Sequence, residues 1–238
     1  MNIYLDIETI PGQAPGLIEQ FAAGITAPAS YKKPDSIAEW ERDNKQAMAE
    51  EAWRKTSFDG AIGHIAVIGF AIGDGQPMTL YSDQYGDKAA ERDILCQFFG
   101  AVTDAGSRML SGGSRNVPAP TFIGHNVLDF DLRFIFQRAV MLGVRPPSCI
   151  PFDAKPWDKT VFDTMTAWAG ARNRVSLDKL CKAFEIDGKG SEIGEEIDGS
   201  MVWDFVRDGR IADVAKYCAG DVERTREIHK RLTFASAA

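Results

Sequence analysis

The opening segment, residues 2–8 (NIYLDIE), alternates without a break. Ile3, Leu5 and Ile7 fall on one side, and Tyr4, Asp6 and Glu8 on the other. A period of two is the period of a β-strand. The fold therefore starts on a strand with one apolar face, which Pro11-Gly12 brings to an end. Residues 62–72 (IGHIAVIGFAI) and 78–82 (MTLYS) read as two further strands joined across a Gly-Asp-Gly turn, a hairpin signal.

After the hairpin, strands and helices alternate. Residues 87–105 predict an amphipathic helix with Ile94, Leu95, Phe98, Phe99 and Val102 on its core face, and 106–120 a Gly, Ser and Pro-rich loop. Thr121–Gly124 reads as a short strand. Residues 129–142 read as a helix capped by Asp129, and 143–160 as a Pro-broken loop. Val161–Thr164 is a short strand entering a helix, and 176–184 is a helix capped by Ser176. Residues 187–199 are a glycine-rich loop, followed by helices over 200–208 and 210–234. Residues 13–36 look irregular. Residues 36–55 predict a helix with Ser36 as N-cap, Glu39 three residues on, and a buried stripe of Ile37, Trp40, Ala47 and Met48. This order argues for an α/β mixed sheet with helices packed on it. Nothing splits the chain, so a single domain over 1–238 is expected, with 13–58 as a helical insertion.

Composition narrows the function classes. At 238 residues with 45% apolar and 26% charged residues the chain can bury one continuous core. A net charge of −7 argues against a non-specific nucleic-acid coat or a polybasic membrane binder. It leaves open an enzyme that holds cations in an acidic pocket. No secretory leader pattern and no long apolar run suggest a membrane partner. Cys96, Cys149, Cys181 and Cys218 are far apart and form no C-x-x-C. Zinc-ribbon and thioredoxin readings fail, and reduced thiols in a cytoplasmic protein are expected.

Three carboxylate motifs carry chemistry. Asp6-x-Glu8 sits at the end of the first strand, where residues i and i+2 share a face and can converge on one point. In Gly124-His125-Asn126-Val127-Leu128-Asp129-Phe130-Asp131 a strand enters a helix, and Asp131 falls in the first helical turn, where the dipole favours an anion. Tyr217-Cys218-Ala219-Gly220-Asp221 presents a phenol and a carboxylate one helical turn apart. Each motif alone reads as readily as ordinary structure: a solvated strand end, a helix-start anion, an amphipathic pair. His125 beside Asn126 reads as a hydrogen-bonded structural residue.

Taken in order, D-x-E, N-x-x-x-F-D and Y-x-x-x-D, the three resemble the 3′→5′ exonucleases of the DEDD superfamily, on a ribonuclease H-like fold with helices on both faces of the sheet. The tyrosine spacing is similar to the DEDDy branch, which includes the proofreading domains of family B DNA polymerases. The sibling branch needs histidine where Lys216 stands. The SLDKL segment at 176–180, Gly188-Lys189-Gly190, and the segments 199–203 and 217–222 look like the C-terminal half of small polymerase-B-like exonucleases. The likeness spans residues 1–12 and 60–234, so it implies a free-standing nuclease.

That resemblance implies a site and a mechanism. Converging carboxylates repel unless cations join them, and oxygen ligands select hard ions, Mg²⁺ or Mn²⁺. Two such ions about 3.5–4 Å apart clamp an in-line displacement at phosphorus. By resemblance Asp6 bridges both ions, Glu8 and Asp221 complete the nucleophile side, and Asp131 acts on the second. Tyr217 orients the attacking water. Thr9, Ile10, Asn126 and Phe130 are expected at the terminal nucleotide. Arg133, Arg172, Arg174, Lys179, Lys189 and Lys216 are candidate phosphate partners. The expected substrate is single-stranded DNA, and the partners include replication or repair proteins. RNA, a small-molecule phosphodiester and an idle nucleic-acid-binding module are the competing readings.

Overall fold

The computed structural model describes residues 1–111, 119–170 and 172–235. The chain begins with β1 (Asn2–Ile10), α1 (Leu17–Gly24), α2 (Pro34–Arg54) and a 3-10 turn (Lys55–Phe58). The hairpin β2 (His64–Ile72) and β3 (Met78–Tyr81) follows, then α3 (Lys88–Ser111), β4 (Thr121–Gly124) and α4 (Asp131–Leu142). β5 (Val161–Asp163) leads into α5 (Thr164–Ala169), α6 (Leu177–Ala183), α7 (Val202–Arg207) and α8 (Ile211–Leu232). The five strands form one sheet in the order β3-β2-β1-β4-β5. β1 pairs antiparallel with β2 and parallel with β4, so it lies at the centre with both edges occupied. This is the mixed sheet that the alternation and the hairpin predict, with helices on both faces.

The two faces of β1 sort as the period of two dictates. Ile3, Leu5 and Ile7 pack with Phe70, Phe122, the α3 residues Leu95 and Phe98, and the α4 residues Phe134 and Ile135. The Phe70 and Phe98 rings meet edge to face with centroids 5.3 Å apart, a geometry that adds about 1 kcal/mol to area burial. Opposite them, Tyr4, Ala71 and Ile123 pack against Val222 of α8. Ile10, Ala66 and Val67 pack under α7 and α8. The polar face of β1 is therefore covered, not solvated. α8 carries enough apolar surface to cap a strand whose own side chains there include carboxylates.

Several local expectations change. Residues 13–36 contain a helix, α1. The helix α2 starts at Pro34 behind Lys33, with no side-chain cap from Ser36, because proline at the first helical position sets the turn itself. α2 buries Ala49 and Trp53 instead of the Ile37–Met48 stripe. The Trp53 indole N–H donates to the Gly12 carbonyl (2.7 Å), which decides the helix's rotation. α4 is preceded by Phe130 with no side-chain cap, so Asp129 does not cap it. α3 runs on to Ser111 where a loop from 106 was expected, and the remainder of that loop to 118 lies outside the described residues. Ser176 does cap α6 through the Lys179 N–H (3.2 Å). All four cysteines are free. Among the described residues no helix is long and apolar enough to cross a membrane.

Candidate active site

The site forms where β1 outruns its parallel neighbour. β4 pairs with β1 only from Asn2 to Tyr4. Beyond that point the β1 edge needs other partners for its backbone groups. The Ile7 N–H, between Asp6 and Glu8, donates to Asp131 Oδ1 (3.0 Å) in the first turn of α4. One hydrogen bond thus locks the second motif onto the first.

α8 delivers the third motif from above the sheet. Gly69 of β2 lies opposite Asp6, and a Cβ there would sit 2.6 Å from Cys218 Sγ. The glycine therefore sets how closely α8 approaches. At that distance the Cys218 thiol donates to Asp6 Oδ2 (3.3 Å). One turn on, Asp221 accepts from two cations: Arg224 Nη1 at Oδ1 (3.0 Å) and Lys189 Nζ at Oδ2 (2.8 Å). Lys189 also donates to the Tyr217 hydroxyl (2.6 Å). Arg224 reaches the carbonyls of Asp187 and Gly188 and the Glu192 carboxylate, so it fastens the glycine-rich loop that carries Lys189.

The strand-to-helix junction is held from β5. Asp163 accepts from the Asn126 N–H (3.1 Å) and the Leu128 N–H (3.2 Å) while capping α5 through Met165 and Thr166. Asn126 takes a left-handed backbone, φ 66°, a conformation that asparagine tolerates better than most residues. Its Oδ1 is buried without a partner among the described residues. It lines a cavity of about 460 Å³ together with Asp6, His125, Arg174, Lys189 and Asp221. His125 is structural, as expected. Its Nε2 donates to the Val175 carbonyl (2.8 Å) and its Nδ1 faces the Thr164 hydroxyl (2.9 Å).

Electrostatically the site is short of positive charge. Burial and the neighbouring Asp221 push Asp6 up to about 7, against the pull of Lys189. Burial, then Asp6 and Asp221, raise Glu8 well above its ordinary value. Burial, then Asp6, do the same to Asp131. Burial and Glu8 drive Tyr217 far above its ordinary value, which favours the neutral phenol. Burial and Asp6 also raise Cys218, which keeps its proton and acts as a donor. Burial opposes the charge on Lys189, but Asp221, Asp6 and Glu8 together outweigh it.

These residues fit a hard cation. Carboxylate oxygens of Asp6 and Glu8 lie within 4.8 Å of each other and of Cys218 Sγ, whose protonated thiol is a neighbour and not a ligand. Glu8 is only 8% exposed as a residue, and its carboxylate oxygens, which keep an opening to solvent, take no hydrogen bond among the described residues. A nearly buried carboxylate beside other carboxylates is costly to ionise unless a cation joins it. Asp131 and Asp221 stand outside that compact group but within its field, as the shifts of Asp6 and Glu8 show.

The expected substrate contacts divide. Thr9 donates its hydroxyl to the Ser57 carbonyl (2.7 Å), beside a second cavity. Ile10, on the same face of β1 as Tyr4, Asp6 and Glu8, is completely buried in the core under α7 and α8, which removes its side chain from any nucleotide. Phe130 is half-buried between Phe58 (centroids 6.1 Å) and Phe134 (5.7 Å). Of the candidate cations, Arg174 and Lys189 line the larger cavity. Arg133, Arg172 and Lys179 are exposed away from its lining, and Lys216 is bonded to Asp213 (3.0 Å). Asp163, Cys218 and Arg224 escape the sequence reading. Asp163 before a short helix is an N-cap pattern, and Arg224 stands at i+3 from Asp221, so both left a signal. Cys218 left none, because its partner glycine lies in a distant strand.

Residues 65–237 match the family described as predicted 3′-5′ exonuclease related to the exonuclease domain of PolB. Asp6 and Glu8 precede the matched segment, so their place in the site is a finding of the fold. The chain is similar in structure to the family B DNA polymerase from the hyperthermophilic archaeon Pyrobaculum calidifontis, with TM-score 0.58 and 14% identity over 98% of this chain. The chain spans 24% of that polymerase, and the likeness is one of fold. No curated protein matches the sequence.

Proposed function

The chain belongs to the predicted 3′-5′ exonucleases related to the exonuclease domain of PolB, and from that premise we propose that it removes nucleoside 5′-monophosphates one at a time from the 3′ end of single-stranded DNA. The observation that carries this reading is the convergence of the nearly buried Glu8 and Asp6 carboxylates, with Asp131 and Asp221 in the same field. Asp6, Glu8, Asp131 and Asp221 would hold Mg²⁺ or Mn²⁺, two ions by analogy with the DEDDy branch. When bound, those cations supply acidity to the attacking water and neutralise charge on the departing 3′-oxygen.

The chain's own residues do the rest. The Ile7–Asp131 bond and the Cys218–Asp6 bond fix two carboxylates before any substrate arrives, which is preorganisation of the kind that lowers a barrier. Tyr217, held as a neutral phenol against Lys189, orients the attacking water. Lys189 and Arg174 face the cavity as counter-charges for the scissile and neighbouring phosphates. Asn126 Oδ1, a buried acceptor without a donor, fits a hydroxyl at the strand end. With a net charge of −7, binding is expected to weaken steeply with salt and to release the strand after few cuts.

The test is a time course on 5′-labelled single-stranded DNA, duplex DNA and RNA, with Mg²⁺, Mn²⁺ or chelator. A ladder shortening by single nucleotides in either metal, faster on single-stranded DNA and halted by a 3′-phosphate, is the expected result. Digestion that continues past a blocked 3′ end, or that survives chelation, overturns the reading.

A further inference from the structure

A third cavity lies at the other end of α4 from Asp131. It measures about 220 Å³ and shares no lining residue with the cavity at the carboxylates. α4 has 12 residues, which sets its two ends about 16 Å apart. The walls are apolar: Leu17 of α1, Ile62 ahead of β2, and Met141 and Leu142 of α4. Gly12 lets the first two meet, since a Cβ there would sit 2.6 Å from Ile62 and 2.8 Å from Leu17. His64 and Arg138 close the buried end. Both are bonded to Glu91 (2.9 and 2.7 Å), so they offer an occupant no charge.

The mouth is unusual for a chain of net charge −7. Met141 is 57% exposed and its neighbour Val140 is 64% exposed, and exposed apolar surface at a cavity marks a contact site. Lys88 of α3 lines the same cavity, and Arg92 stands one helical turn on. Arg92 is fixed at the rim by its bond to the Leu142 carbonyl (2.7 Å). Neither cation has a carboxylate partner among the described residues. Asp87 is occupied in holding the Ala89 and Ala90 N–H groups (2.9 Å each), and Asp93 pairs with neither. Like charges at i and i+4 repel, so this pair favours an anion. The volume exceeds the share of one water, about 30 Å³, and falls below the roughly 300–1,000 Å³ of sites for drug-sized ligands. It suits one apolar side chain. No phenylalanine, tyrosine or tryptophan lines it for a nucleobase to stack on. A twofold dimer through this face would set Lys88 and Arg92 against their own copies.

We propose that this cavity docks an acidic segment of a partner protein. One apolar side chain of that segment fills the space between Leu17, Ile62 and Met141, while neighbouring carboxylates meet Lys88 and Arg92. A partner seated there leaves the catalytic cavity open, so the chain can be held on an assembly while it works. The docking site stands whether or not the exonuclease reading holds.

Fluorescence anisotropy tests this with labelled peptides of aspartate around one central leucine, isoleucine, methionine or phenylalanine. At least one should bind with micromolar affinity and weaken as salt rises. A central alanine, or lysines in place of the aspartates, should abolish binding. Lys88→Glu should weaken it about tenfold, because a rim charge is reversed. Lys159→Glu makes the same change of charge on an exposed lysine beside β5 and should match the wild type. Met141→Glu, a change at an exposed position, should remove binding and keep the wild-type melting temperature. Turnover of oligonucleotides by Lys88→Glu and Met141→Glu should be that of the wild type. No binding by any of the four peptides, equal affinity for the alanine version, or equal loss in Lys88→Glu and Lys159→Glu overturns the proposal. So does a single-stranded oligonucleotide that displaces the peptide, which assigns the face to nucleic acid. A dimer in sedimentation that Met141→Glu dissolves also overturns it, and assigns the face to a second copy.

Discussion

Two clusters of buried charge sit on this sheet, and they behave in opposite ways. On the α3–α4 face, Glu91 accepts from Arg138 at both oxygens (2.7 Å each) and from the Ile65 N–H (2.9 Å), and it meets His64 Nδ1 (2.9 Å). Arg138 also donates to the Gly60 carbonyl (3.0 Å). Burial alone would raise Glu91, but the hydrogen bonds from His64 and Arg138 outweigh it and hold the carboxyl below its usual value. Across the sheet, Asp6, Glu8 and Asp131 are pushed up. Both clusters are buried and both join a helix to a strand. They differ in stoichiometry: a guanidinium matches Glu91, whereas Lys189 and Arg224 are shared among several carboxylates. A balanced cluster is a fastening, and an unbalanced one is a place for cations.

The largest effects should separate the two. Asp6→Ala or Asp131→Ala should lower turnover at least a hundredfold while the protein stays folded, and for Asp6→Ala metal-free thermal stability should be equal or higher, because a repelling carboxylate is gone. Retention of more than a tenth of the activity would contradict the assignment. Arg138→Met should do the reverse. It leaves Glu91 buried without its main partner, a change that costs about 3–5 kcal/mol, a large share of a domain's stability. Urea unfolding should show that loss, while activity per folded molecule stays near normal. If Arg138→Met impaired turnover and spared stability, the contrast between the clusters would collapse.

Acidity should sharpen the same contrast. A carboxyl whose pKa is raised on folding holds a proton that the unfolded chain gives up. Its contribution is complete below the ordinary value of 3.8 and disappears as pH rises through about 7 for Asp6. Glu8 and Asp131 move in the same direction. The metal-free protein should therefore melt at a lower temperature at pH 8 than at pH 5.5, and Mn²⁺ should restore most of the difference. In the Asp6→Asn variant the pH slope should shrink. Glu91 has the opposite sign: its contribution is complete above 4.5 and fades in acid below that value. Melting curves from pH 4 to 8, with and without Mn²⁺, would expose an assignment in which the signs are exchanged.

The sequence made the strand periodicities and motif order readable because both are local. Asp6 and Glu8 share a face by geometry alone, and Asp131 follows from a strand entering a helix. Two kinds of information were out of reach. One is what covers a polar face: nothing near Asp6 says that α8 will seat there, since that depends on Gly69 leaving room for Cys218. The other is competition among local signals. Ser36 lost to Pro34 at the start of α2 because a fixed φ outweighs a side-chain cap. Ile10, expected at the nucleotide, keeps the face that alternation gives it and went into the core because α7 and α8 cover that end of the strand. A sequence period predicts which face a residue takes but not what covers that face.

The smallest effects concern the donors around the carboxylates. Tyr217→Phe removes one hydroxyl that takes no proton from the reaction, so about tenfold in kcat is expected, the worth of one hydrogen bond in a dry site. A silent variant would remove the orienting role. Cys218→Ala should cost less still. It takes away a weak S–H donor to Asp6 Oδ2, leaving Asp6 freer to turn and to hold its proton, so the Mn²⁺ concentration for half-maximal stabilisation should rise about fivefold. Calorimetric Mn²⁺ binding without substrate measures this apart from catalysis. Cys218→Ser keeps a donor at the same position, against the same cleared space over Gly69, and should recover most of the affinity. If Cys218→Ser binds Mn²⁺ as weakly as Cys218→Ala, the thiol matters for how α8 packs on β2 and not for aiming Asp6. The unbalanced cluster would then be organised by its backbone contacts alone, as the Ile7–Asp131 bond already organises its other half.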